Sequence, residues 1–157
     1  MLKKDFIMIN LSKFAETLET LIFEHSNIEK LDGKTLAKHL GVAGPTITRY
    51  LNEKRAPSIK NLVLLADYFN CTTDFLLGRE NENYAKSFKT CPPFSEQFVK
   101  LLDHYGYNCL TFANEAKIHQ SRVYDWKNDK KVPTIDSIIK IAEFFDCSVD
   151  FVLGREN

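Results

Sequence analysis

The chain lacks the features that define several classes of protein. Its apolar runs, such as residues 62–66, fall far short of the roughly 20 residues that a membrane-spanning helix needs. Its four cysteines show neither C-x-x-C spacing nor the density of a secreted disulfide scaffold. The apolar stretch behind the N-terminal lysines covers only residues 6–9, too few for a secretory signal. We therefore expect a soluble cytoplasmic protein without a membrane partner.

Groups of residues that carry out catalysis or hold cofactors are also missing. The four histidines (positions 25, 39, 104 and 119) share no metal-ligand spacing with the cysteines. His104 lies beside a carboxylate, Asp103, but neither a nucleophile nor a Gly-rich phosphate loop accompanies it. The sequence therefore predicts no enzyme, no metal and no cofactor. The 21 Lys and Arg balance the 21 Asp and Glu, so the total charge indicates no partner.

The chain does contain an internal repeat. Gly-Arg-Glu-Asn occurs at residues 78–81 and again at 154–157, a shift of 76 that also aligns Pro57 with Pro133 and Cys71 with Cys147. Further upstream the shift becomes 80, which aligns Phe14 with Phe94. The first copy therefore carries a four-residue insertion around positions 27–31. Two copies are too few for a solenoid, so each copy is expected to be a domain with its own core.

Each copy reads as a series of short helices. Apolar residues from Phe14 onward keep the i, i+4, i+7 spacing of an amphipathic helix, and Asp32 and Asn108 are suited to cap the next helix of each copy. Later helices of each copy are expected to start at Ser58 and Thr72 and at the equivalent Thr134 and Ser148. No pair of strands joined by a turn is evident, so the fold class is all-α. The polar stretch between the copies suits a linker. We predict a first domain at 10–81, a linker at 82–93 and a second domain at 94–157.

A helix, a break and a second helix recur at residues 35–57 and 111–133. The segment Thr-Leu-Ala-Lys-His-Leu-Gly-Val, residues 35–42, and its continuation to Pro57 resemble the phage-repressor-type (XRE-type) helix-turn-helix domain, as does Thr-Phe-Ala-Asn-Glu-Ala-Lys-Ile and its continuation to Pro133. The resemblance extends to Gly78 and Gly154. It implies two tandem lambda-repressor-like five-helix domains, and it covers nearly all of both copies.

The resemblance implies double-stranded DNA as the partner. Base edges would be contacted by the start of the second helix of each pair, and phosphates by its flanks. In the first copy the candidate contacts are Lys34, Lys38, Thr46, Thr48, Arg49, Lys54 and Arg55. In the second copy they are His119, Gln120, Ser121, Arg122, Tyr124, Lys127, Lys130 and Lys131. Tyr50 and Trp126, near the helix ends, are interpreted as packing residues.

The two copies differ in charge. Residues 34–60 carry a balance of +5, and the matching residues 110–136 only +1, with Asp125 where the first copy has Arg49. The first copy offers few long side chains at the start of its second helix, whereas Gln120 and Arg122 can pair with adenine and guanine. We therefore expect the first copy to supply affinity and the second to supply base discrimination.

The main prediction is a transcriptional regulator that binds DNA sequence-specifically with both copies. A twelve-residue linker spans at most about 40 Å, enough for half-sites about 34–36 Å apart. The alternative is a protein-interaction or dimerisation module in which one or both copies no longer bind DNA; neutral total charge, Asp125 and the Ala-Gly-Pro at 43–45 favour it. A homodimer stays open, and no small-molecule effector domain is evident.

Overall fold

A computed structural model describes residues 8–84 and 87–156 of the chain. This part of the chain contains helices and turns and no β-strand, which confirms the predicted all-α class. The helices fall into two compact units, residues 9–84 and 87–156. Each unit has five helices in the same order, as expected for two copies of one domain.

The first unit begins with α1 (Leu11–Ser26), continues with α2 (Gly33–Leu40), α3 (Pro45–Leu51) and α4 (Ile59–Tyr68), and ends with α5 (Thr73–Leu76). The side chains of Asp32, Ser58 and Thr72 accept backbone N–H bonds and start α2, α4 and α5, as the sequence predicts. The core consists of apolar side chains with no solvent exposure: Phe14, Leu18, Leu36, Ile47, Leu62, Leu65 and Leu76.

The second unit repeats the plan with α6 (Phe94–Tyr105), α7 (Cys109–Ala116), α8 (Gln120–Lys127), α9 (Ile135–Phe145) and α10 (Val149–Leu153). Asn108, Thr134 and Ser148 are the corresponding caps. Its core is richer in rings, since Phe98 packs edge-on against both Phe112 and Trp126 at 5.6 and 5.7 Å between centroids.

The repeated Gly-Arg-Glu-Asn motif closes each unit with an ion pair to the last helix. The Arg79 Nε donates to Asp74 Oδ1 at 2.7 Å, and the Arg155 Nη1 donates to Asp150 Oδ1 at 2.9 Å. The Arg155 side chain is completely buried, whereas that of Arg79 is 26% exposed. The difference arises because Phe88 covers the Arg155 guanidinium at 3.7 Å from its ring centroid.

The segment between the copies contacts both units at its ends. The Asn83 Oδ1 accepts the Thr72 N–H at 3.3 Å in the first unit, and the Lys89 N–H donates to the Arg155 carbonyl at 2.8 Å in the second. Residues at either end of the predicted 82–93 linker are thus held by hydrogen bonds. The exact domain boundaries stay a prediction.

Three kinds of feature are absent from the described residues: a membrane-spanning helix, a cluster of metal ligands and a disulfide bond. No helix there is long and apolar enough to cross a membrane. No group of three or more His, Cys, Asp or Glu side chains is arranged to hold a metal ion in the same residues. The four cysteines, all of them described, form no disulfide.

Candidate nucleic-acid interface

The turn of the helix-turn-helix has the same backbone geometry in both units. The first helix of the pair ends on a left-handed residue, Gly41 with φ of 69° and Lys117 with φ of 56°. The next N–H along the chain then donates to the carbonyl of Ala37 or of Ala113, at 3.0 Å in each case. Both alanines are about 1% exposed, because the second helix crosses close to them. The turn therefore begins with the same left-handed residue and the same closing hydrogen bond in both units.

The inner face of α3 is fixed by two buried side chains. Ile47 is fully buried and Tyr50 is 2% exposed. The Tyr50 ring meets Phe14 edge-on at 5.6 Å, and its hydroxyl accepts a hydrogen bond from the Asn61 Nδ2 at 2.9 Å. Tyr50 is thus a packing residue, as the sequence suggested, and the opposite face of α3 is free of core contacts.

The outer face of α3 carries Thr48 and Arg49, which are both exposed. Thr46 differs from the sequence-based expectation, because its side chain is buried at 8% exposure. It lies one position before the core residue Ile47, and the helix turns it towards the protein. We therefore no longer consider Thr46 a base-contacting residue. On α2, Lys34 and Lys38 are exposed and one helical turn apart, so they share a face.

The basic pairs that follow α3 and α8 occupy equivalent turns in the two units. The Lys54 N–H donates to the Arg49 carbonyl and the Lys130 N–H donates to the Asp125 carbonyl, both at 2.9 Å. Each of these lysines, and the Arg55 or Lys131 that follows it, has an exposed side chain. The fold thus places two cations directly after each exposed helix, where phosphate contacts were predicted.

In the second unit, α8 begins at a histidine cap. The His119 Nδ1 accepts the Ser121 N–H at 3.2 Å, so the ring that was predicted to contact DNA also starts the helix. Gln120 and Ser121 follow with exposed side chains, and Tyr124 is 41% exposed one turn later. On the inner face Trp126 is 3% exposed, which makes it a packing residue like Tyr50. Lys127 is exposed at the helix end.

Arg122 is exposed, but its guanidinium is oriented by the protein. The Nη2 donates to the Ser137 Oγ at 2.8 Å, and the guanidinium carbon lies 5.8 Å from the centre of the Trp126 ring. Ser137 is 6% exposed at the start of α9 and was not identified from the sequence. The available signal was a small polar residue next to the apolar positions Ile135, Ile138 and Ile139. Ser137 positions the arginine rather than contacting DNA itself.

Asp125, which was expected to repel phosphate, has a cationic neighbour. Its Oδ2 lies 3.8 Å from the Nζ of Lys131, and its side chain is 28% exposed. The pair reduces the repulsion that Asp125 exerts, and it also engages one of the four lysines that lie between α7 and α9. Compared with a count of charges in the sequence, the two copies therefore differ less at position 125, where the negative charge is paired. They differ more in the loop, where Lys131 is held by that pair.

The start of α2 is stabilised by a charged cap. The Asp32 Oδ1 accepts the Thr35 N–H at 2.7 Å, and this bond holds the pKa of the carboxyl below its ordinary value of 3.8. The equivalent residue in the second unit is Asn108, which makes the same bond to Thr111 at 2.9 Å without a charge. Both helix-turn-helix pairs therefore begin at a defined residue, and only the first does so with a titratable group.

Comparison with protein families gives the same two segments. A family model described as Helix-turn-helix matches residues 29–76 and 100–152, which together make up more than half of the chain. The first match ends at the last residue of α5, and the second extends from α6 into α10. Comparisons with curated proteins and with solved structures gave no match. The chain belongs to the XRE-type helix-turn-helix family of DNA-binding proteins, and it carries that domain twice.

Proposed function

We propose that the protein is a transcriptional regulator that binds double-stranded DNA sequence-specifically with both helix-turn-helix units. In this proposal the first turns of α3 and α8 enter the major groove, and the basic pairs behind them contact phosphates. The protein acts by occupying a promoter and not by catalysis. It acts in the cytoplasm, the compartment that the sequence predicts.

One observation supports this proposal above the others. In both units the second helix of the pair is held by two buried side chains on one face, and its other face has no core contact and is followed by two exposed cations. A helix that only stabilised the domain would not need cations at the same two positions in both copies. A groove-reading helix does need them, because phosphate contacts fix its register on the duplex.

The two copies are proposed to contribute differently. The first has the larger positive charge along α2, α3 and the following loop, and its Ala-Gly-Pro at 43–45 is exposed without a polar side chain. In the second, Gln120 and Ser121 are exposed at the start of α8, and Arg122 is oriented there by Ser137. Phosphate neutralisation therefore comes mainly from the first copy and base discrimination mainly from the second.

Selection of bound duplexes from a random pool tests sequence-specific binding. The full chain is expected to enrich a motif at low salt. Q120A should relax one adenine-containing position, because a bidentate Gln–adenine pair contributes about 1–3 kcal/mol of discrimination. K130A/K131A, the control, should weaken binding to all sequences without changing the motif. If Q120A leaves the motif intact, α8 does not read bases as proposed.

The salt dependence of binding tests the division between copies. If Lys54 and Arg55 both contact phosphates, K54A/R55A should reduce the slope of log K against log salt by about 1.8. K30A/K100A removes the same total charge from exposed positions outside both helix-turn-helix pairs and should leave the slope unchanged. K130A/K131A should reduce the slope by less, because Lys131 is paired with Asp125 and neutralises less phosphate charge. Equal losses of slope from K54A/R55A and K130A/K131A would contradict a dominant first copy.

A protein-interaction module remains the second candidate, because of one specific observation. Residues 43–45 of the first copy are all exposed where the family would place base-contacting side chains, and none of them is polar. If the selection enriches no sequence at low salt, the protein-interaction module replaces DNA recognition as the proposed function. Sedimentation of the free chain then shows whether the exposed helices join two copies in a homodimer.

A further inference from the structure

The first unit has an apolar groove that its function in DNA binding does not use. The groove lies between the second half of α1 and the start of α2, and its volume is about 530 Å³. Ile22 and the buried Leu31 form its apolar lining, together with Phe23, which is 71% exposed. Ile28, 87% exposed, lies in the loop that follows α1. None of the predicted DNA contacts lines this groove.

The loop beside the groove is held in a defined conformation. The Ser26 Oγ lies 2.8 Å from the carbonyl oxygens of both Ile22 and Leu31, which fixes the end of α1 to the end of the loop. The N–H groups of Ile28 and Glu29 donate to the His25 carbonyl at 3.0 and 3.1 Å. The exposed apolar side chains are therefore presented by an ordered backbone.

The second unit shows that the fold does not require this groove. The four inserted residues are absent there, and the C-cap of α6, Gly106, lies only two residues before the Asn108 cap of α7. The residue equivalent to Phe23 is Asp103, which is exposed and polar, as expected on a helix surface that meets water. The same five-helix domain thus folds without the insertion and without the exposed phenylalanine. An ordered apolar surface that folding does not need indicates a binding surface.

The charges around the groove indicate what binds there. Glu19 and Asp32 are the ionisable side chains in its lining, and both are acidic. Residues 16–32 carry five acids against Lys30, a balance of −4 with histidine neutral, directly before the +5 of residues 34–60. DNA would be repelled from this surface. A second copy would bring the same acids face to face, because a two-fold interface pairs each patch with itself.

We propose that this groove binds an amphipathic helix of another protein, with an apolar face and basic residues along its edges. The apolar side chains of such a helix, spaced i, i+3 or i+4 and i+7, fit a groove between two helices. Its lysines and arginines face Glu19 and Asp32, which favours encounter and fixes the direction of the helix. The proposal goes beyond DNA binding and does not depend on it.

A library of helical peptides displayed on phage and selected against the full chain tests the proposal. Enriched peptides are expected to be apolar on one face and flanked by Lys or Arg, with affinity that falls as salt rises. F23D, which copies the second unit, should weaken their binding about tenfold. V99E is the matched control: it also replaces an exposed apolar residue of a first helix by an acid, but in the second unit, and should change nothing.

A charge-reversal variant and a measurement of the oligomeric state test the same proposal in other ways. E19K/E24K changes only exposed side chains, so it should leave the fold intact, weaken basic peptides and strengthen acidic ones. The proposal is overturned if no peptide is enriched, if acid-flanked peptides are enriched, or if the wild-type chain sediments as a dimer that F23D converts to a monomer. F23D should leave the selected DNA motif unchanged, and a loss of DNA recognition in F23D would overturn the proposal, because the groove would then serve DNA binding. Failure of the wild-type chain to select any motif would instead count against the proposed function.

Discussion

Replacing Arg155 by methionine isolates the energetic contribution of the buried ion pair that closes the second unit. Methionine fills a similar volume but removes the 2.9 Å bond to Asp150 and the contact with Phe88. The side chains of Arg155 and Asp150 are 0% and 1% exposed, so water cannot replace the lost charge. Breaking a buried pair on one side costs about 3–5 kcal/mol. We expect R155M to lose that amount.

The first unit provides the control. The Arg79 side chain is 26% exposed, so solvent compensates part of its bond to Asp74, and R79M should cost less than half as much. A double variant, D150N/R155M, should recover part of the loss, because it removes the buried carboxylate charge as well. The three variants together separate the loss of an ion pair from the loss of packing.

Urea unfolding monitored by tryptophan emission measures the effect. Trp126 is the only tryptophan of the chain and lies buried in the second unit, so its emission reports on that unit. Circular dichroism follows both units and serves for R79M. For a domain of this size, a loss of about 3 kcal/mol lowers Tm by at least about 12 °C. If R155M costs under 1 kcal/mol, or no more than R79M, burial is not what makes the second pair stronger.

Three further predictions concern single positions. The bonded carboxyl of Asp32 has a lowered pKa, so its stabilisation is present above 3.8 and is lost as the pH falls through the folded-state pKa; D32N should flatten the pH dependence of unfolding below pH 5, measured by circular dichroism. G154A should destabilise more than G41A. Both glycines have positive φ, where a side chain costs about 1 kcal/mol. A Cβ at Gly154 would in addition lie 2.7 Å from the Gln97 Oε1, whereas a Cβ at Gly41 would have nothing within 4 Å. Urea midpoints compare the two. S137A should alter the selected DNA motif with little change in non-specific affinity, because it releases Arg122 from its 2.8 Å bond; an unchanged motif would show that Arg122 does not read bases.

Much of the architecture is encoded locally and was predictable. A helix cap needs only one polar side chain three residues before the N–H that it binds, so Asp32, Ser58 and Thr134 marked helix starts correctly. The repeat at shifts of 76 and 80 revealed two domains and the insertion, since both are properties of residue order. The family resemblance, and with it the expectation that the second helix of each pair is exposed on one face, followed from these local patterns.

Tertiary structure decided which side chains are available. Thr46 is buried because the crossing of α2 and α3 directs it inward, and Arg122 is oriented by a serine fifteen positions away. Phe88, outside the helices, completes the burial of Arg155, so that two identical Gly-Arg-Glu-Asn motifs form one partly exposed and one buried ion pair. Sequence order specifies caps, helices and copies because these depend on neighbours along the chain. Burial and the orientation of long side chains depend on residues that only the packed fold brings together, and these had to be seen in three dimensions.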